Sequence, residues 1–228
     1  MVVTEYIDKN LVAFKLSFKL LGTDFGNRMT IAILPNKKLW VHSPIQIDAA
    51  TASMIKSLGD VTAIIAPNLF HYSHITKFLD YFPEITIYGV NGIQKKLKIS
   101  KNIKNLEQYS QAGNWLPDLE SIMIKGVPKV NEVVFFHQST QTLILTDLLF
   151  HFLNPKGWSK CVYSLYGINN KLAFSSLSKL LIQDKKLFKE SIENIVDWDF
   201  NKIIVSHGEL IKSNGKEKFI KAFKWLLN

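Results

Sequence analysis

The sequence predicts an α/β fold in which two packed β-sheets are flanked by helices. Three observations carry that prediction. The 228 residues are 47% hydrophobic and 21% charged, the balance of a globular chain able to bury one large core. Two β-rich regions, residues 13–42 and 121–145, are each followed by segments of helical period. Three apolar runs, 61–66, 142–145 and 202–205, read as buried strands and end abruptly in short polar segments.

Residues 13–18 alternate apolar and polar side chains, the period of a half-buried strand. Two further β-rich runs, 29–34 and 39–42, are separated by Pro35-Asn36-Lys37-Lys38, a hairpin turn by composition. Asp48 is placed to cap a helix over 48–58, with Met54, Ile55 and Leu58 at helical spacing before the stop at Gly59. Strand 60–66 ends at Pro67. A helix over 75–82 then carries Ile75, Phe78, Leu79 and Phe82 on one face, and a strand over 85–88 leads to a small helix over 91–97. In the second half, 121–124 and 133–136 read as strands, and Gln138-Ser139-Thr140-Gln141 turns the chain into 142–145. Residues 147–182 read as apolar helix broken at Pro155-Lys156-Gly157. The helix over 185–196 turns Leu187, Phe188, Ile192, Ile195 and Val196 inward, and the helix over 216–227 buries Phe219, Ile220, Phe223 and Leu227. With no Pro-, Gly- or Ser-rich linker and no internal repeat, one domain over 1–228 is expected.

The formal charge of +9 invites an anionic partner, but the lysines scatter along the chain, so a solvated surface is expected and nucleic acid is not. The single cysteine, Cys161, excludes an intramolecular disulfide and is expected to be a buried, inert thiol among Trp158, Val162 and Tyr163. No basic-then-apolar leader is read at the N-terminus, and no run approaches the ~18 apolar residues of a span. A cytoplasmic protein without a membrane partner is expected; the sequence carries no signal of oligomeric state.

The polar segments that end the three runs are Pro67-Asn68-Leu69-Phe70-His71-Tyr72-Ser73-His74, Thr146-Asp147 and Ser206-His207-Gly208. Strand ends on a rigid sheet are where such folds place chemistry, and two imidazoles with one carboxylate form a ligand set with open positions. His74, one turn beyond His71, and His151 are further candidates, while His137 reads as a structural contact. There is no Gly-x-Gly-x-x-Gly run, no phosphate-cradling Gly-x-x-x-x-Gly-Lys loop and no Gly-x-Ser-x-Gly elbow.

The order of these segments resembles the metallo-β-lactamase fold. The phrases Leu39-Trp40-Val41-His42-Ser43-Pro44, Ala66-Pro67-Asn68, Glu132-Val133-Val134-Phe135-Phe136-His137, Thr142-Leu143-Ile144-Leu145-Thr146-Asp147, Trp198-Asp199-Phe200 and Ser206-His207-Gly208 resemble a divergent branch of it in bacteria and plants. The resemblance implies a four-layer αββα sandwich of two mixed sheets, with metal ligands on loops at one sheet edge. Hydrolases of that fold carry His-x-His-x-Asp-His, a middle-loop His, a hairpin Asp and a last His, which together hold two ions. Laid on that pattern, Pro67 and Leu69 stand at the two leading His positions and no His lies near 126–129, so the first ion has no side-chain ligand. His71 falls at the motif's Asp, Tyr72 at its closing His, Asp147 at the hairpin Asp and His207 at the last His.

The resemblance thus implies a mononuclear, metal-dependent hydrolase of a small molecule, with one Zn or Fe ion on His71, Asp147 and His207. Tyr72, His42 and Glu132 are the candidate assisting residues: a phenol, a support for the ligand shell, and a general base or replacement ligand. The alternative is a non-catalytic relative that keeps the fold to bind a ligand or partner and has lost the dinuclear metal site.

Overall fold

The computed structural model describes residues 2–109, 113 and 115–228. Its first half is a seven-stranded sheet. The chain opens with β1 (Val3–Asp8) and β2 (Leu11–Leu16), followed by a short hairpin, β3 (Lys19–Leu20) and β4 (Thr23–Asp24). It continues through β5 (Asn27–Ile33), β6 (Lys38–His42), α1 (Ala49–Leu58), β7 (Asp60–Ala66), α2 (Ile75–Leu79), β8 (Thr86–Gly89), α3 (Ile93–Leu97), β9 (Ile103–Asn105) and α4 (Leu106–Tyr109). The sheet order is β1-β2-β5-β6-β7-β8-β9. Its first four strands pair antiparallel, joined by short turns and, between β2 and β5, by the β3–β4 hairpin, whereas β6 to β9 run parallel because a helix intervenes each time. Asp48 caps α1 by accepting from the Thr51 backbone N–H at 2.8 Å, as its position predicts.

The second half builds a four-stranded sheet from β10 (Leu119–Met123), β11 (Val133–His137), β12 (Thr142–Ile144) and, from much later in the chain, β15. Between them come β13 (Phe150–Phe152), α5 (Gly157–Leu165), β14 (Lys171–Ala173), α6 (Ser176–Lys179) and α7 (Lys185–Val196). After β15 (Lys202–Ile204) the chain closes with α8 (Gly215–Ala222) and α9 (Lys224–Leu227). Phe135, Ile144 and Ile204 of this sheet join Phe14, Ile31 and Trp40 of the first in one buried cluster, with Trp40 edge-on to Phe135 at 4.8 Å. On its other face Val134, Leu143 and Ile203 pack under Phe188, Ile192, Phe219 and Phe223. Helix, sheet, sheet, helix is the layering that the sequence predicts.

Several expectations are corrected. Residues 147–182 are not one broken helix: β13 and β14 pair antiparallel there across α5, because Phe150, Phe152 and Ala173 pack with Phe25 and Tyr163 in a small separate core. The strand β1 was not foreseen. Cys161 is exposed, since α5 buries Val162 and Tyr163 and turns the neighbouring thiol outward. Leu187 and Ile220 are exposed as well, each lying one position off the buried stripe of its helix.

Candidate metal centre

The ends of β7, β12 and β15 converge at one edge of the sandwich. The nitrogens and carboxylate oxygens of His71, Asp147 and His207 lie within 4.8 Å of one another, with both histidines buried. His71 Nε2 is 3.2 Å from Asp147 Oδ2 and His207 Nε2 is 3.3 Å from Oδ1, so the two rings approach opposite oxygens of one carboxylate. The ring centroids are 5.2 Å apart.

Each group is aimed by its outer neighbours. His207 Nδ1 lies 2.6 Å from the Gly26 carbonyl oxygen, which can only accept, so Nδ1 carries the proton and the neutral ring presents the Nε2 lone pair to the cleft. His71 Nδ1 lies 2.7 Å from Ser43 Oγ. Asn68, fully buried, accepts at Oδ1 from the N–H groups of Phe70 and His71, both at 2.8 Å, and so bends the chain after Pro67 into the turn that carries His71. Its amide donates to Asp147 Oδ2 at 2.7 Å and to Thr146 Oγ1 at 2.8 Å. One asparagine therefore fixes both a histidine and the carboxylate that faces it.

Arg28, 1% exposed, donates to the carbonyl oxygens of Val205 and of Gly208, the latter at 2.9 Å, and pairs with Glu5 at 2.8 Å. The loop that bears His207 is thereby bracketed on both sides by one rigid guanidinium fork. Gly208 adopts φ +102°, and a Cβ there would sit 2.0 Å from the His151 carbonyl oxygen, so only glycine lets this loop pass β13.

The electrostatics favour an anionic carboxylate. Burial works to raise the Asp147 carboxyl, but the His71 and His207 rings outweigh it and hold it well below the usual carboxylate range. Burial opposes a charge on His207, yet its hydrogen bond to Asp147 raises its pKa.

The assisting residues fall differently. Tyr72 and the half-buried His74 line the same cleft of about 350 Å³ as the three converging groups, together with Phe18, Phe70 and Phe150. Glu132 is put forward by the sequence as a base, but it is 2% exposed and does not line that cleft. Its Oε1 accepts from the Thr146 N–H at 2.6 Å and its Oε2 from the Asp147 N–H at 2.9 Å, so it pins the backbone that presents Asp147. Burial and the Asp147 charge push its carboxyl up to about 7. His42 is likewise displaced from its expected role. Its ring stacks on Trp40, its Nε2 has no hydrogen-bond partner, and it is the next residue, Ser43, that reaches His71. His151 turns away and bonds the Glu209 carbonyl oxygen through Nδ1 at 2.8 Å, and His137 meets Thr140 at 2.7 Å as a structural contact.

Burial and the nearby His71 push His42 down to about 3. Between that value and ~6.5 the unfolded chain binds a proton that the folded chain refuses, so His42 makes stability fall with acidification by up to about 1.4 kcal/mol per pH unit. His42→Leu is expected to flatten that limb of a denaturation profile between pH 4 and 6.5 and to leave metal binding intact. Lost metal binding with a full acid limb would restore His42 to the site.

Asn68, Ser43 and Arg28 are the residues that sequence reasoning missed. A signal existed for the last: Arg28 is the only arginine of a chain that uses lysine at every other basic position.

The family model described as a domain of unknown function, DUF4336, matches residues 10–157. The chain belongs to the DUF4336 family. No curated protein matches by sequence. Among solved structures, this DUF4336 protein is similar to a putative diflavin flavoprotein fragment from Nostoc sp. PCC 7120 (TM-score 0.70, 12% identity, covering 99% of this chain and 96% of that one). It is also similar to the metallo-β-lactamase FIM-1 from Pseudomonas aeruginosa, solved in a mono-zinc form (TM-score 0.67, 12% identity, 100% and 97% covered). A metallo-β-lactamase from Pontibacter korlensis matches over 100% of both chains with TM-score 0.65 and 11% identity. The DUF4336 chain therefore has the metallo-β-lactamase fold, in a form without the intact histidine motif. No helix among its described residues is long and apolar enough to cross a membrane.

Proposed function

We propose that this protein is a mononuclear metal-dependent hydrolase of a small molecule, with its ion on His71, Asp147 and His207. The observation that carries the reading is the convergence of two imidazole nitrogens on opposite oxygens of one half-buried carboxylate, in the lining of a ligand-sized cleft. The donor chemistry fits a divalent ion of the Zn or Fe kind: two nitrogens, one anionic oxygen, and room on the cleft side. The mono-zinc form of the similar FIM-1 supports a one-ion reading of the fold. When bound, the ion supplies Lewis acidity at the cleft. The chain's own part is to hold the three ligands through Gly26, Ser43 and Asn68, and to shelter the reacting bond beneath Phe70, Tyr72 and Phe150.

The rival reading, a binding module without chemistry, draws on Pro67 and Leu69 standing where hydrolases of this fold carry histidines. Elemental analysis of protein purified without added metal separates the two. About one ion per chain, a thermal shift with Zn²⁺, Mn²⁺ or Fe²⁺, and turnover of a chromogenic ester, thioester or lactone support the hydrolase. An ion without turnover leaves a metal-dependent binding protein, and no ion with no thermal shift sinks the metal centre.

The affinity is expected to depend on pH, because an ion takes only neutral imidazoles. Asp147 holds the proton on His207 above its ordinary value, so the ion must displace it. Metal affinity should fall as pH drops through the raised pKa of His207, by up to about tenfold per pH unit for that one proton, as a competition assay with a chelator would read. A flat profile from pH 5 to 8 contradicts histidine ligation.

A further inference from the structure

A cavity of about 780 Å³ lies apart from the candidate metal centre, between β13–β14, α6 and the C-terminal helices. Five lysines surround it: Lys171, Lys179, Lys218, Lys221 and Lys224. They arrive from four elements, β14, α6, α8 and α9, and no Asp or Glu side chain is among its lining residues. Lysines that look scattered in sequence are thus gathered around one concavity by the fold. Nothing in the packing explains them, since all five are exposed; Lys218 meets only a loop carbonyl oxygen, of Ser213, at 3.2 Å. The floor has a different character. Phe174 lies beside Trp225 with rings nearly parallel at 6.1 Å, and Lys179 Nζ stands 4.3 Å from the Trp225 centroid.

We infer that this cavity is a second ligand site, one that takes a small phosphorylated molecule carrying a di- or triphosphate. Like charges around one hollow repel each other, and a compact polyanion relieves that repulsion; lysine meets phosphate as a point charge with three donors. The volume lies in the range of small-ligand sites, and its concavity separates it from the extended groove or stripe that a nucleic-acid strand tracks. The apolar floor offers an organic body a place beside the phosphates. A nucleotide and an inorganic polyphosphate share the chemistry that the lysines recognise, and the test tells them apart.

Isothermal titration of the full chain at about 100 mM salt, where surface charges further apart than ~10 Å are screened, uses ADP and inorganic triphosphate as probes. At least one is expected to bind, and the affinity is expected to fall at least tenfold in K221E/K224E and in the charge-neutral K171Q/K218Q, but not in K185E/K186E on α7 outside the cavity. Because the five side chains are exposed, each variant should keep its circular dichroism and melting temperature. Tighter binding of ADP identifies the nucleotide source, and equal or tighter binding of triphosphate identifies the inorganic one. The inference fails if neither probe binds, if the cavity variants bind like the unaltered protein, or if a single-stranded oligonucleotide binds through the same lysines and excess ADP cannot displace it. Metal content is read in the same preparations, so an empty lysine cavity and an empty metal centre are scored separately.

Discussion

Asp147→Asn is expected to reduce bound metal from about one ion per chain to less than a tenth, through a loss of affinity of a hundredfold or more. The substitution is almost isosteric and removes the one anionic ligand of the set. It also places an amide where Asn68 Nδ2 now donates at 2.7 Å and where two histidine rings approach. His71→Gln and His207→Gln each remove a neutral ligand and should act in the same direction. Without metal the sign of the pH effect is different. Asp147 has a depressed folded pKa, so its contribution is present above ~3.9 and is lost as pH falls through the folded value. His207 has a raised one, so its contribution is full below ~6.5 and is lost as pH rises through its folded value. The pair therefore stabilises the metal-free protein most between ~3.9 and ~6.5, and Asp147→Asn should flatten that window in a denaturation series. Metal bound to Asp147→Asn as tightly as to the unaltered protein would remove Asp147 from the coordination sphere, and the proposed hydrolase with it.

Much of the architecture was legible because burial writes a period into the chain. Strands β7, β11, β12 and β15 are apolar runs with polar ends, α1 announces itself through an Asp cap, and α7 through a stripe at helical spacing. His71, Asp147 and His207 were readable for the same reason, each lying in the polar segment that follows such a run. What was hidden depends on contacts across the chain. β13 and β14 are three residues each inside a stretch that reads as helix, and they pair with each other against Phe25 and Tyr163. Ser43 and His42 are neighbours, yet His42 stacks on Trp40 inside the sandwich while Ser43, at φ 53°, meets His71. Glu132 and Asn68 show the same limit. The Glu132 carboxylate beside a strand reads as chemistry and the Asn68 amide reads as nothing in particular, yet in three dimensions both serve as scaffolding for the loops that hold the candidate ligands.

Glu132→Ala tests that division of labour, and its expected effect on stability is the largest of any single substitution considered. It would leave the Thr146 and Asp147 amides, now bonded at 2.6 and 2.9 Å, facing a buried void, at a cost of about 2–4 kcal/mol. Because those amides set the direction of Asp147, metal affinity should weaken with stability. Glu132→Gln keeps one acceptor and should cost less. It should also change the pH profile. The carboxyl is pushed up to about 7, so between ~4.3 and 7 the folded chain keeps a proton that the unfolded chain has released, and stability declines as pH rises through that window. Glutamine cannot titrate and should abolish that decline while preserving much of the fold. A general base predicts a different pattern: melting temperature and metal content unchanged in Glu132→Gln, with turnover alone abolished. Chemical denaturation, metal analysis and turnover on the same two variants distinguish a carboxylate that holds a loop from one that moves a proton.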